Sequence, residues 1–339
     1  MSLDERKRKI LEAIVLDYTS TAEPVGSRTI SKKYGLSISP ATVRNEMADL
    51  EDMGYIEQPH TSAGRMPSDQ GYRYYVDYIM QKNKLDEAIE KLVISSFKGK
   101  INRFDDAIKI SMELIAKITR YPSLFLVPEA ECSALSMIRI LKVDATKALL
   151  IIITENNLVE NIFVDLPEGF EESDLNLITN VINSKLSGTK ISGWSKTLIR
   201  ELYGDLLKQK DVLTAILDSI EDSLNQKKDQ RVYSAGFLQM LNEPEFRDID
   251  KIKGILSFFD DKKIIEDMLL KKSQVEDFQV LIGMENEADE IKDCSLIKKK
   301  YNFQGDFQGI MGIVGPKRMD YSNSISLLEL ISEVLEKKK

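Results

Sequence analysis

The sequence is poor in the side chains on which most enzyme active sites and metal centres depend. Its 339 residues include one histidine and two cysteines, which are His60, Cys132 and Cys294. A Ser-His-Asp triad, a histidine or cysteine metal site and a disulfide framework therefore have almost nothing to be built from. Carboxylate or lysine chemistry is all that remains for catalysis. We predict neither an enzyme nor a metal or organic cofactor.

Long apolar runs are also missing. The longest, such as Ala148 to Ile153, fall far short of the ~20 residues that a membrane-spanning helix needs. The first nine residues, MSLDERKRK, contain no apolar core of the kind found in signal peptides. We therefore expect a cytoplasmic protein with no membrane partner. Its 42% hydrophobic and 30% charged residues are typical of a folded chain, here long enough for two or three domains.

The formal net charge of −8 argues against indiscriminate binding to polyanions, but the charges are unevenly placed. The stretch from Pro24 to Asn45 holds four basic residues and no acidic one. The next stretch, Glu46 to Glu57, holds five acidic residues and no basic one. A basic patch on an otherwise acidic body favours oriented contact with phosphates through that patch alone.

The first 80 residues predict three helices, two of them joined by a tight turn. Apolar spacing indicates a helix over Leu3–Thr19 and a short one over Arg28–Tyr34, for which Ser27 is the expected N-cap. A third helix is expected to begin after Ser39, which can cap it, because Pro40 suits a first helical position that needs no backbone N–H. With residues 35–38 as the turn, this order is typical of a helix-turn-helix that binds DNA.

The third helix has a buried face and a face suited to nucleic acid. Helical spacing places Val43, Met47 and Leu50 inward. The remaining side chains near its start are small or able to hydrogen bond, and they are Ala41, Thr42, Arg44, Asn45 and Ala48. Threonine can bind phosphate or touch a thymine methyl, arginine pairs with guanine, and asparagine pairs with adenine. These residues alone leave a solvated helix face as the alternative.

A short hairpin is predicted beyond this helix. Gly54 is suited to end the helix, Tyr55–Gln58 to form a strand, and residues 59–67 to form a polar loop. Such a wing would bring Arg65 near the DNA backbone or the minor groove. Pro67 disfavours a long second strand, so the hairpin should lead directly into a helix near Asp69.

Two features near the hairpin leave alternatives open. His60 can bind a phosphate from the loop, but a loop histidine more often holds local backbone in place. The tyrosines that follow the hairpin can stack on bases or pack the hairpin against the next domain, and they are Tyr72, Tyr74, Tyr75 and Tyr78. We favour the packing role.

The remainder of the chain alternates between helical and strand-like segments. Helices are predicted over 85–119 with a break near 98–100, over 172–186, over 195–225 with an interruption near 203–204, and over 244–260, 262–270 and 324–335. Strands are predicted over 135–143, 148–154 and 159–165 as an antiparallel meander, and over 232–241, 278–284, 293–299 and 309–314. A three-stranded sheet buries only one face by itself, so this meander predicts either a self-sufficient domain or a dimer interface.

Several long strings carry a family resemblance, and they occur in order across nearly the whole chain: PVGSR at 24–28, SPATVRNEM at 39–47, QPHTSAGR at 58–65, GYR at 71–73, IGMEN at 282–286 and GIVGPKRMDY at 312–321. With them the sequence resembles HrcA, a family of heat-inducible transcription repressors of bacteria.

The resemblance implies an α+β fold. It implies a winged helix-turn-helix DNA-binding domain over residues 1–80 and a GAF-like α/β domain split into 81–130 and 229–339. The split domain would be interrupted by an inserted dimerisation domain, 131–228, which holds the three-stranded antiparallel sheet and its helices. The implied function is repression of chaperone genes by a homodimer bound to double-stranded DNA at an inverted-repeat operator, CIRCE. The family also implies relief of repression on heat stress through availability of the GroE chaperonin.

The candidate DNA-binding residues lie in the first 75 positions. Thr42, Arg44 and Asn45 are the candidates for base contact, with Ser27, Arg28, Lys33 and Arg65 for phosphate. The full set is Ser27, Arg28, Lys33, Ser39, Ala41, Thr42, Arg44, Asn45, His60, Arg65 and Arg73.

Alternatives to this function rest on the C-terminal half or on the whole chain. One is a small-molecule-responsive regulator that senses through the GAF-like domain, and another is a structural assembly protein, which the polarised charge near the N-terminus disfavours. Gly312–Gly315 with Lys317 and Arg318 can be interpreted as an anion-binding turn or as ordinary strand and turn glycines.

Overall fold

A computed structural model describes residues 3–34, 38–60, 63–98, 104–127, 134–155, 159–167, 169–189, 194–228, 232–246, 248–271, 278–303 and 307–337. These residues form a mixed α+β structure, as predicted, in which every pair of neighbouring strands is antiparallel. Within the described residues, no helix is both long enough and apolar enough to cross a membrane.

The N-terminal part consists of three helices followed by a small hairpin. The elements are α1 (Glu5–Thr21), α2 (Ser27–Lys33), α3 (Pro40–Asp52), β1 (Ile56–Glu57), β2 (Met66–Pro67) and α4 (Asp69–Tyr74), the last continued by a π-helical turn, Tyr75–Ile79. The predicted Ser39 cap is confirmed. The predicted Ser27 cap is wrong, because Gly26 is the N-cap of α2 and Ser27 is its first residue. The predicted turn residues 35–37 lie outside the described residues.

The end of α3 shows why the hairpin follows it directly. Gly54 adopts a positive φ of 80°, and its N–H bonds to the carbonyl of Glu51 at 2.9 Å while Tyr55 N–H reaches the carbonyl of Leu50 at 2.9 Å. This pair of bonds is the Schellman motif, for which glycine is favoured because it has no Cβ. The chain then enters β1, and the two-residue pairing with β2 ends at Pro67 as expected.

A five-stranded sheet is formed by β3 (Ser123–Leu126), β7 (Val232–Ala235), β8 (Phe278–Ile282), β9 (Cys294–Phe303) and β10 (Phe307–Pro316). The strand order is β7-β3-β10-β9-β8. The helices around it are α5 (Glu87–Phe97), α6 (Phe104–Thr119), α10 (Phe237–Met240), α11 (Ile249–Asp260), α12 (Lys262–Leu270) and α13 (Tyr321–Glu336). Alternation along the strands sends Phe125 and Ile313 into the core with α5, α6 and α13, and Leu124 and Val314 into the core with α11 and α12.

A second sheet has its own core. Strands β4 (Leu135–Lys142), β5 (Lys147–Thr154) and β6 (Val159–Asp165) form the predicted meander. One face packs against α7 (Glu172–Leu186), α8 (Lys196–Asp205) and α9 (Lys210–Lys228). In the chain this unit lies between β3 and β7, which are neighbours in the larger sheet with Leu126 opposite Val232.

Several elements differ from the sequence predictions. The predicted strand 232–241 ends at Ala235, because Gly236 turns with a φ of 84° into α10. The helix predicted to begin at Pro244 is a 3₁₀ turn, Pro244–Phe246, and α11 begins separately behind its cap Asp248. Strand β3 was not predicted because its four residues are all buried, which leaves no apolar–polar alternation to detect.

Candidate nucleic-acid interface

The start of α3 is capped by a side chain and faces solvent. The Ser39 hydroxyl accepts the N–H of Thr42 at 3.1 Å and lies 3.0 Å from the Thr42 hydroxyl. Val43, Met47 and Leu50 are buried beneath it. Because these three residues fix the rotation of the helix, Ala41, Arg44, Asn45 and Ala48 are left exposed on its outer side.

Arg44 and Asn45 have side chains that the fold leaves available. Both are exposed, and neither forms a side-chain hydrogen bond or ion pair with any other described residue. The same holds for Arg28 on α2 and for Lys32 in its last turn. Lys32 belongs to the basic run of residues 24–45 but not to the candidate set predicted from the sequence. Its exposure beside α3 is the signal that adds it.

Two of the five acidic residues in the stretch after Asn45 are paired with cations of α1. Lys7 contacts Glu46 at 2.8 Å and Asp49 at 3.0 Å, and Arg6 contacts Glu46 at 3.3 Å. Hydrogen bonds to these two carboxylates raise the pKa of Lys7. Their charges are thus turned toward α1 and compensated there, so they oppose an approaching phosphate less than the sequence suggests.

Lys33 is partly occupied by a structural contact. Its ammonium lies 2.6 Å from the Asp17 carboxylate, whose side chain is only 8% exposed. That hydrogen bond raises the pKa of Lys33. The lysine side chain is still 55% exposed, so its charge serves a buried carboxylate while remaining accessible to solvent.

The hairpin is attached to both α2 and α3. Val25 and Arg65 exchange backbone hydrogen bonds of 2.8 and 2.9 Å, and a Cβ on Gly64 would lie 2.5 Å from the Val25 carbonyl oxygen. The Arg65 guanidinium bonds to Glu51 of α3 at 2.7 Å. His60 is exposed at the tip of the loop, and loop residues 61–62 lie outside the described residues. The arrangement holds the base of the hairpin beside α3.

Arg73 does not share this surface. Its guanidinium donates to Glu285 Oε1 at 2.9 Å and to the Val280 carbonyl at 2.6 Å, both of them in the C-terminal half. A third bond joins it to Asp77 at 3.0 Å. With its donors used in this way, Arg73 connects α4 to the larger sheet, and we leave it out of the proposed DNA contacts.

The four tyrosines that follow the hairpin mostly pack within the protein. Tyr72 is buried with its ring centroid 6.1 Å from that of Tyr321, and the Tyr74 hydroxyl accepts the N–H of Leu3 at 3.1 Å. Tyr75 is half-buried, whereas Tyr78 is 64% exposed. Three of the four therefore pack against the protein.

The candidate anion-binding turn is also used internally. Lys317 lies 2.7 Å from Asp69, and Arg318 bonds to Glu243 and Glu245. A Cβ on Gly315 would lie 3.1 Å from the Tyr121 ring, so close packing accounts for that glycine. Both cations are already neutralised by carboxylates of this chain.

Comparison with known proteins identifies relatives along the full length. A family model described as HrcA protein C terminal domain matches residues 105–325. The heat-inducible transcription repressor HrcA of Pelotomaculum thermopropionicum is 40% identical over 341 residues, covering 99% of this chain and 98% of that protein. The protein of the same name from Desulforudis audaxviator is 42% identical over 342 residues, covering 99% of both chains. A crystal structure of a hypothetical protein shares the fold, with a TM-score of 0.68 at 24% identity over 99% of this chain and 98% of that one.

Proposed function

The chain belongs to the HrcA family of heat-inducible transcription repressors, and from this premise we propose that it represses chaperone genes in the cytoplasm as a homodimer bound to a CIRCE-type inverted repeat. The observation that carries this proposal is the start of α3, where Arg44 and Asn45 are exposed and unpaired with any described residue. A major groove about 12 Å wide admits an α-helix presented in this way.

We assign the contacts by their chemistry and position. The short side chain of Ala41 permits close approach, while Thr42, Arg44 and Asn45 read base edges. Phosphate contacts are assigned to the remaining exposed or half-exposed polar residues around α3, which are Ser27, Arg28, Lys32, Lys33, Ser39 and His60. Arg65 reaches DNA only by exchanging Glu51 for a phosphate, so its resting role is to hold the wing of a winged helix-turn-helix.

The proposed domain division follows from the path of the chain. A GAF-like domain would be split around an insertion of about residues 131–228, since the chain leaves the larger sheet at Leu126 and returns at Val232, its register partner. The insertion has a separate core. Its two junctions fall within 128–133 and 229–231, outside the described residues.

The outer face of the smaller sheet supports dimerisation. Register places Met137, Ile153 and Val159 in one row across the three strands, and Leu141, Leu149 and Phe163 in another. Phe163 is 66% exposed and Val159 is 55% exposed. The row between them, Arg139, Ile151 and Asn161, is apolar only at its centre, so apolar residues continue along β5 and at both ends of the face. Exposed apolar surface of this kind marks an interaction site, and a two-fold axis would bury the same patch on both copies.

Footprinting on the chaperone promoters of the source genome, with sedimentation of the complex, tests this function. We expect one protected inverted repeat occupied by two chains, and no protection by an Arg44→Ala/Asn45→Ala variant that keeps its fold. Protection of no inverted repeat by the wild-type protein would refute the proposal.

Relief of repression is proposed to depend on the GroE chaperonin, which misfolded proteins occupy during heat stress. Such control requires a repressor that loses activity without help, and an apolar sheet face that becomes exposed when a dimer opens supports this. DNA binding should recover after heating only when chaperonin and ATP are present. Equal recovery without chaperonin would exclude this part of the proposal.

A further inference from the structure

The DNA-binding part is attached to the C-terminal half through both ends of α4. Asp69, at the start of the helix, accepts hydrogen bonds from Lys317 at 2.7 Å and from the N–H of Met284 at 3.0 Å. Arg73, near its end, donates to both carboxylate oxygens of Glu285, at 2.9 and 2.5 Å. These contacts join residues more than 200 positions apart, and together they fix α4 in direction as well as position.

A glycine on the opposite side is shaped for this contact. Gly283 has a φ of 53°, and a Cβ built there would lie 1.9 Å from Asp69 Oδ2. The carboxylate therefore occupies the space that any other side chain would fill. This close approach is evidence, independent of the ion pairs, that the two parts are fitted to each other in this orientation.

A second attachment lies at the end of α1. Arg318 Nη1 donates to the Thr19 carbonyl at 3.2 Å, while Glu243 and Glu245 hold the rest of its guanidinium. The Arg318 side chain is only 10% exposed. Because α1 and α4 are held at separate points, the DNA-binding part cannot rotate about either helix without breaking one attachment.

We propose that this joint, defined as Asp69, Arg73, Gly283, Glu285, Lys317 and Arg318, sets the angle of the DNA-binding part on the body and thereby selects the spacing of operator half-sites. The inference rests on the proposed function, a dimer on an inverted repeat. Asp69, Arg73, Gly283, Glu285 and Lys317 contact one another across the joint, and Arg318 contacts Thr19, Glu243 and Glu245. None of the six is assigned a contact with DNA, so they are positioning residues. Adding one base pair between half-sites rotates them by roughly 35° and separates them by about 3.4 Å. With a stiff joint, the dimer should bind an operator of altered spacing more weakly. With a flexible joint, the DNA-binding parts can reorient, and the affinity should change little.

The test compares spacer variants of the footprinted operator. Anisotropy titrations measure the affinity of the full-length dimer for the natural repeat, for repeats with one or two base pairs added or removed, and for an isolated half-site. One variant is Arg73→Gln/Lys317→Gln, which removes both cations that hold α4. Gly283→Ala is paired with Gly204→Ala, because a Cβ on Gly204 has nothing within 4 Å.

We expect the wild type to prefer the natural spacer by ~10-fold or more. Arg73→Gln/Lys317→Gln and Gly283→Ala should reduce that preference to less than about threefold with half-site affinity unchanged. Gly204→Ala should keep the preference of the wild type. An unchanged spacer preference in the double variant overturns the joint alone. An equal loss on half-site and full operator also overturns it, since the contacts would then support folding of the DNA-binding part. Failure of the wild-type protein to bind any inverted repeat would instead refute the proposed function.

Discussion

Replacing Arg44 with alanine removes a cation that the fold does not use. Arg44 is exposed, and the described part of the chain offers it no carboxylate or carbonyl partner. The unfolding free energy should therefore change by less than about 0.5 kcal/mol. A lost bidentate contact to guanine costs about 1–3 kcal/mol of binding. At 1.4 kcal/mol per tenfold, this is roughly a 5- to 150-fold rise in Kd.

Two measurements separate base recognition from charge. Arg44→Ala should lose discrimination at one base position in each half-site, measured by anisotropy on singly substituted operators. Arg28→Ala, as a phosphate contact, should weaken binding to all sequences alike and lower the slope of log K against log salt by about 1. Lys9→Ala is the matched control, because Lys9 is an exposed cation paired with Glu5 on α1 at 2.7 Å.

The outcome that refutes the assignment is specific. If Arg44→Ala stays within about twofold of wild-type affinity and keeps the same base preference, α3 does not read DNA through Arg44. If the variant instead loses thermal stability as well as affinity, Arg44 supports the fold, and its exposed position has been misinterpreted. A circular dichroism melt of each variant distinguishes the two results.

Three further predictions concern the dimer, the packing of α4 and alkaline pH. Phe163→Asp should make the protein monomeric in sedimentation, because burying a phenylalanine contributes ~1.5–3 kcal/mol per copy. Leu207→Asp, at a residue 73% exposed, should leave the dimer intact. Dimers in both variants would exclude the sheet face as the interface. Gly71→Ala should lower the unfolding free energy by about 2 kcal/mol or more, since its Cβ would lie 2.0 Å from the Tyr55 carbonyl oxygen. Denaturant unfolding, with Gly204→Ala as the control variant, measures this change. Burial raises the pKa of Tyr75 and Tyr121 to about 12, so stability present below pH ~10, the pKa of unfolded tyrosine, should be lost as pH rises toward 12. A free energy of unfolding, measured with denaturant, that does not fall between pH ~10 and pH ~12 would contradict this.

The N-terminal helices were predictable because their signals are local. Ser39 and Pro40 specify where α3 begins, and Gly54 specifies where it ends, each through one residue and its neighbours in the chain. The meander was predictable for the same reason, since short turns join strands of clear alternation. Strand β3 was missed because four buried residues carry no periodicity, and its partners β10 and β7 lie more than 100 positions away.

The candidate interface was less predictable, because composition does not show which charges are already paired. The sequence contains 47 basic and 55 acidic residues, so an average cation in the folded chain has a carboxylate within reach. Arg73, Lys317 and Arg318 were each interpretable as binding phosphate, and each is held by a carboxylate of its own chain. The cations that indicate binding of an external anion are those that have no carboxylate partner in the folded chain. Among the described residues around α3, these are Arg28, Lys32 and Arg44, whereas Glu46 and Asp49 of the same helix are paired with Lys7.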